Sequence, residues 1–136
     1  MTMMVLKAAF VSLAGTDYSV NCNKIELSME VEEKDVTTFG SAGWKEVIGG
    51  LGSGGLALSF KNDYAASQID ADLWALFGTV TTFEVRASNA AAGTDNPKYT
   101  GSILIKELKP ITGSVGDVAE FDVSWPTSGA ITRATA

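Results

Sequence analysis

The sequence predicts a mainly β domain with one α-helix and one long glycine-rich loop, and three observations predict it. Apolar and polar residues alternate with a period of two in four separate stretches. One stretch before Gly78 repeats with the period of a helix, and seven of the fourteen glycines fall between Gly40 and Gly55. A chain of 136 residues fits one domain, residues 1–136, able to bury roughly two-thirds of its unfolded surface. With 46% hydrophobic and 19% charged residues it is not disordered in bulk, and part of its surface is apolar enough to be covered by a partner.

The clearest alternation runs from Lys24 to Glu32, where Ile25, Leu27, Met29 and Val31 form one dry face. Leu56, Leu58 and Phe60, then Phe83 and Val85, then Phe121, Val123 and Trp125 repeat the pattern. Ser102 to Leu108 is more continuously apolar, and Val5 to Leu13 mixes both faces, with Tyr18 to Cys22 returning beside it across a turn at Gly15. Six or seven strands are expected. Ser67 is placed to cap a helix, Asp70 and Asp72 sit in its first turns, and Gly78 ends it. Ile69, Leu73, Leu76 and Phe77 make its buried stripe, with Trp74 at the edge, and both Trp74 and Trp125 are expected in the core. Residues 35–55 are expected as an extended loop and 128–136 as a loose tail.

Composition excludes several functions. The net charge of −6 and pI near 4.5 leave no basic footprint for gripping phosphates, and no basic run points to a membrane. With no histidine and one cysteine, Cys22, the familiar Ser-His and Cys-His pairs and the common metal centres cannot be assembled. Cys22 reads as a buried, inert thiol in a chain made in a reducing place. The acidic run Glu30, Glu32, Glu33, Asp35 reads as a solvated strand face: it lacks the spacing of a calcium loop, and paired-carboxylate chemistry is the weaker reading. The glycine segment contains neither GxxxxGK[ST] nor GxGxxG, so no phosphate loop is expected. No cofactor, metal or catalytic residue is expected.

A solvent linker has no need of Trp44, Val47, Ile48 and Leu51 among its glycines. Two readings stand: Trp44 packs on its own domain, or these side chains form an arm whose apolar side is buried only on a neighbouring subunit.

TTFGSAGWKEVIGGLGSGGLALSF, then DLWALFGTVTTFEVRAS, DNPKYTG and SVGDVAEFDVSWPTSG, spread over roughly Lys24 to Arg133, resemble in order and spacing the major tail protein, or tail tube subunit, of long-tailed bacteriophages. The resemblance implies a β-sandwich or barrel-like domain with one flanking helix, assembled into a hexameric ring that stacks into a hollow tube for DNA. It implies a virion tail location after assembly in the bacterial cytoplasm, and no enzyme activity. The partners implied are copies of itself, with tape-measure, tail-terminator and tail-tip proteins, while DNA passes through without specific binding and no membrane is involved. By position, the inter-subunit contacts it implies are Phe39, Trp44, Val47, Ile48 and Leu51. Six copies would carry about −36, and Glu26, Glu30 and Glu32, or else Glu120 and Asp122, could line a channel that repels DNA. Two rival readings are a capsid decoration or head protein, and a carbohydrate-binding adhesive sandwich using Trp44 or Tyr99 as a stacking platform.

Overall fold

The computed structural model describes residues 3–136, which form two antiparallel sheets packed as a sandwich. The five-stranded sheet has the order β2-β1-β5-β6-β8, with β1 at Phe10–Leu13, β2 at Thr16–Asp17, β5 at Val80–Arg86, β6 at Lys98–Leu104 and β8 at Thr132–Ala134. The three-stranded sheet has the order β3-β4-β7, with β3 at Cys22–Asp35, β4 at Val47–Lys61 and β7 at Glu120–Pro126. One helix, α1 at Ile69–Leu76, joins the sheets. The mainly β sandwich with a flanking helix is therefore the fold, with two of its strands too short to carry a period.

The core follows the alternation. Leu56 pairs with Trp125, Leu58 with Val123 and Phe60 with Phe121, so each row between β4 and β7 puts two apolar side chains on the inner face. All six are buried, and the rings of Phe60 and Phe121 lie 5.4 Å apart at a tilt of 37°. Trp125 is fully buried because its one polar atom is satisfied: Nε1 donates to Glu107 O at 3.0 Å. From the other sheet Val11, Leu13, Phe83, Val85 and Ile103 close the sandwich.

Several elements differ from expectation, each for a local reason. Of Val5–Leu13 only Phe10–Leu13 is a strand, and the return across Gly15 (φ +83°) is Thr16–Asp17, after which Tyr18 dives into the core. The Tyr18 hydroxyl donates to Asp72 at 2.9 Å, and burial first, then that carboxylate, pushes the phenol up to about 12. The strand expected at Ser102–Leu108 lies earlier, because Lys106 N bonds back to Leu104 O at 2.9 Å and closes a tight turn. The tail is partly tied down: Ile131 packs on the core and Thr132–Ala134 pairs with β6.

In α1, Ser67 is not the cap; it takes a left-handed φ of 61°, and Gln68 stands at the cap without a side-chain bond. Ile69 and Leu73 are buried and Leu76 partly so, but Trp74 is 68% exposed and Phe77 52%. Trp74 lies a full helical step from the stripe, and the chain leaves the helix at Phe77 with an extended ψ of 128°, so neither reaches the core. Gly78 (φ +83°) does end the helix. Cys22 is half-buried, its thiol donating to Lys24 O at 3.2 Å, and burial raises its pKa above the ordinary cysteine value.

The largest departure is the glycine-rich segment. Only residues 36–46 connect the strands; Val47 to Gly55 is paired strand, Gly54 opposite Met29, Gly52 opposite Val31 and, after a bulge, Gly49 opposite Glu33. None of these glycines uses positive φ. Gly49, Gly50 and Gly54 serve close approach: a Cβ on Gly54 would stand 2.7 Å from Ser28 O and 2.8 Å from Ile131 Cδ1. Gly54→Ala is expected to cost roughly 1–3 kcal/mol in urea unfolding, as overpacking against backbone does. Gly52→Ala, whose Cβ meets nothing nearer than 4.0 Å, is expected to stay within about 0.5 kcal/mol.

Candidate assembly interface

The hairpin of β3 and β4 outruns the sandwich. Its inner part is covered, with Leu56, Leu58 and Phe60 buried, whereas every residue from Val47 to Ser53 is exposed. Seven residues of strand project about 23 Å. On β3, Met29 opposite Gly54 and Val31 opposite Gly52 remain 63% and 60% exposed, although they continue the dry face of Ile25 and Leu27. Alternation marks that face correctly but does not say where the second sheet stops covering it.

The connection at the far end is closed by its own hydrogen bonds. Val36 N donates to Glu46 O at 3.0 Å, Glu46 N donates to Thr37 Oγ1 at 2.8 Å, and Thr37 N donates to Asp35 Oδ1 at 2.8 Å. A 3-10 turn at Phe39–Ser41 follows, in which Thr38 N donates to the buried Ser41 hydroxyl at 3.1 Å and Ser41 N to Thr38 O at 3.0 Å. Ala42 and Gly43 then take left-handed φ of 56° and 87°, which reverses the chain, and Trp44 N bonds to Ser41 O at 3.1 Å. An ion pair of 3.1 Å between Lys45 and Glu33 crosses the base. This closure turns side chains outward: Phe39 is fully exposed, Trp44 78%, Leu51 75%, Ile48 57% and Val47 48%. Trp44 does not pack on its own domain.

Bonding from Thr37, through its hydroxyl first and its backbone N–H second, holds the Asp35 carboxyl below the usual carboxylate range. A lowered carboxylate pKa supports the closed loop above the unfolded value of about 3.9, and that support disappears as pH falls through the lowered one. The Trp44 indole resonance is expected to shift across that acidic window and to lose the shift in Asp35→Asn. An indole signal that moves only with global unfolding would remove Asp35 from loop closure.

The outer face of the three-stranded sheet is polar and gathers both sets of candidate channel acids. Lys24, Ser59 and Asp122 share one row, and Glu26, Ala57 and Ser124 the next. Glu30 continues the face beside Ser53, and Lys61 pairs with Glu120 by an ion pair. Thus Glu26 and Glu30 lie on the same surface as Glu120 and Asp122, and Glu32 continues it at the bulge, where its side chain lines Gly50. The run Glu30, Glu32, Glu33, Asp35 is split between two faces, with Glu32 paired to Lys34 at 3.2 Å. Among the described residues no group of acidic, histidine or cysteine side chains is arranged to hold a metal ion, and no helix is long and apolar enough to cross a membrane. Tyr99 is part-buried against the core.

These features define a β-sandwich with five exposed apolar side chains on a projecting, self-closed hairpin. No protein-family model and no curated protein matches the sequence. Among solved structures, a chain from the virion of a native gene transfer agent (GTA) particle aligns with a TM-score of 0.75 at 19% identity, covering 96% of this chain and 98% of that one. A chain from the tail of an empty GTA particle, determined with helical refinement and C6 symmetry, aligns with a TM-score of 0.69 at 20% identity, covering 95% of each. The tail tube resemblance of the sequence therefore holds as a shared fold over nearly the whole chain.

Proposed function

We propose that this protein is a structural subunit of a tail tube, assembling with copies of itself into rings, six to a ring, that stack into a conduit for DNA. The observation that carries this is the pairing of a nearly full-length fold match to a chain of a C6-symmetric tail with a hairpin that exposes five apolar side chains no monomer needs to expose. Phe39, Trp44, Val47, Ile48 and Leu51 are the contacts we assign to axial docking on the next ring. Such a contact is heterologous, since the hairpin meets a different surface of its neighbour, so it propagates into a stack. The loop is already closed by Thr37 and Ser41, which lowers the ordering cost that docking must offset.

The acidic outer face of the three-stranded sheet is the surface we assign to the channel. Carboxylates at 26, 30, 120 and 122 outnumber Lys24 and Lys61 on that face and give a net negative wall from which DNA phosphates are repelled, so the polymer slides without binding. Tape-measure, terminator and tip proteins are the further partners this role requires. Negative-stain electron microscopy of the purified protein at rising concentration should show annular particles or tubes. A protein that stays monomeric at high concentration, alone and with other tail proteins, would count decisively against the reading.

A further inference from the structure

Strand β3 is the outer strand of its sheet: β4 pairs with one side, and among the described residues no strand pairs with the other along the 14 residues from Cys22 to Asp35. An edge of that length is a template for another chain. A groove of about 390 Å³ opens along it, walled by Ile25, Leu27 and Met29 on one side and by Val85, Arg86 and Tyr99 of the facing sheet on the other. No residue of β4 or β7 lines it, so it opens at the β3 edge.

Charge decides what kind of strand fits. Along β3, Lys24 and Lys34 stand against Glu26, Glu30, Glu32, Glu33 and Asp35. A second β3 edge, or β7 with Glu120 and Asp122, would bring one net negative strand against another, which weakens a strand pair. An uncharged apolar segment followed by a cation would not. The chain carries one: Met3, Met4, Val5 and Leu6, then Lys7. These residues belong to no strand, and the four apolar side chains are 81%, 58%, 73% and 62% exposed. Extended, they span about 13 Å, as do Ile25 to Met29 along the groove. Methionine adapts to an irregular apolar wall better than a branched side chain.

We propose that the β3 edge and its groove are the docking site for residues 3–7 of a second copy, added as an extra strand. Main-chain groups pair with β3, alternate side chains enter the groove, and Lys7 settles beside the β3 carboxylates. The subunit's own segment does not fill the site: its Leu6 lines the rim, and Met3 to Val5 stay exposed. The identity of the partner as a second copy rests on the self-assembly reading above; the chemistry of the site does not.

The test uses two full-length variants in a Cys22→Ala background, one carrying Met4→Cys and the other Met29→Cys, mixed before assembly and then oxidised. Neither chain can form an internal disulfide, so a covalent heterodimer that disappears on reduction is the expected result. Rings or tubes that form without the heterodimer overturn this inference and leave the tube reading standing. A heterodimer in a protein that never forms rings or tubes supports the strand addition and sinks the tube reading. A chain carrying both substitutions that oxidises internally, with no heterodimer from the mixture, assigns the groove to its own segment and overturns the proposal, and absence of both assembly and cross-link overturns both.

Discussion

Trp44→Ala should leave the subunit folded and raise the concentration needed for tube formation by roughly thirtyfold or more. The indole is 78% exposed and its backbone is held by a bond to Ser41 O that the substitution keeps, so the fold loses within about 0.5 kcal/mol. Docked on a neighbour, an aromatic of this size at the end of an arm is the kind of side chain whose truncation costs about 2 kcal/mol or more, which is about thirty in an association constant. Thermal melts and sedimentation of the same samples separate the two effects. A melt lowered by many degrees would put Trp44 among the residues that hold the domain together, and unchanged assembly would take the grip away from the loop.

Trp125→Ala should do the reverse, costing about 3–5 kcal/mol of stability out of the 5–15 typical of a domain. Its side chain is fully buried opposite Leu56, and the cavity is bounded by two sheets that cannot both collapse into it. The carbonyl of Glu107 also loses the donor that ties the 105–119 connection to β7. Trp74→Ala is the comparison: 68% exposed on α1, it should change the urea midpoint little. Equal midpoints for the Trp125 and Trp74 variants would mean that the sandwich does not depend on the Trp125 row.

Where alternation meets a covering sheet, the fold was legible: Leu56, Leu58, Phe60, Phe121, Val123 and Trp125 face inward as their spacing predicts. What escaped prediction depends on distant parts of the chain. Met29 and Val31 continue a dry face, but whether it is covered is decided by the extent of strands from elsewhere in the sequence. Thr132–Ala134 is three residues long and has no period to read. Composition cannot distinguish glycines that supply freedom from glycines that admit a neighbour, and Gly49 and Gly54 are of the second kind. The candidate contacts were legible because apolar side chains stood out among glycines; the Thr37 bond that helps present them was not, since it joins Thr37 to Glu46, brought together by the ladder register.

The narrowness of the hairpin has a mechanical consequence. Beyond the sandwich it is a ribbon two strands wide, interrupted by the bulge between Val31 and Glu33, and its glycines leave little side-chain bulk to resist torsion. In a stack joined through such ribbons, curvature concentrates at the joints while each sandwich keeps its shape. Filling the ribbon, as in Gly52→Val, should therefore straighten assembled filaments and lengthen the distance over which they lose direction in micrographs; filaments as curved as before would place the compliance inside the subunits.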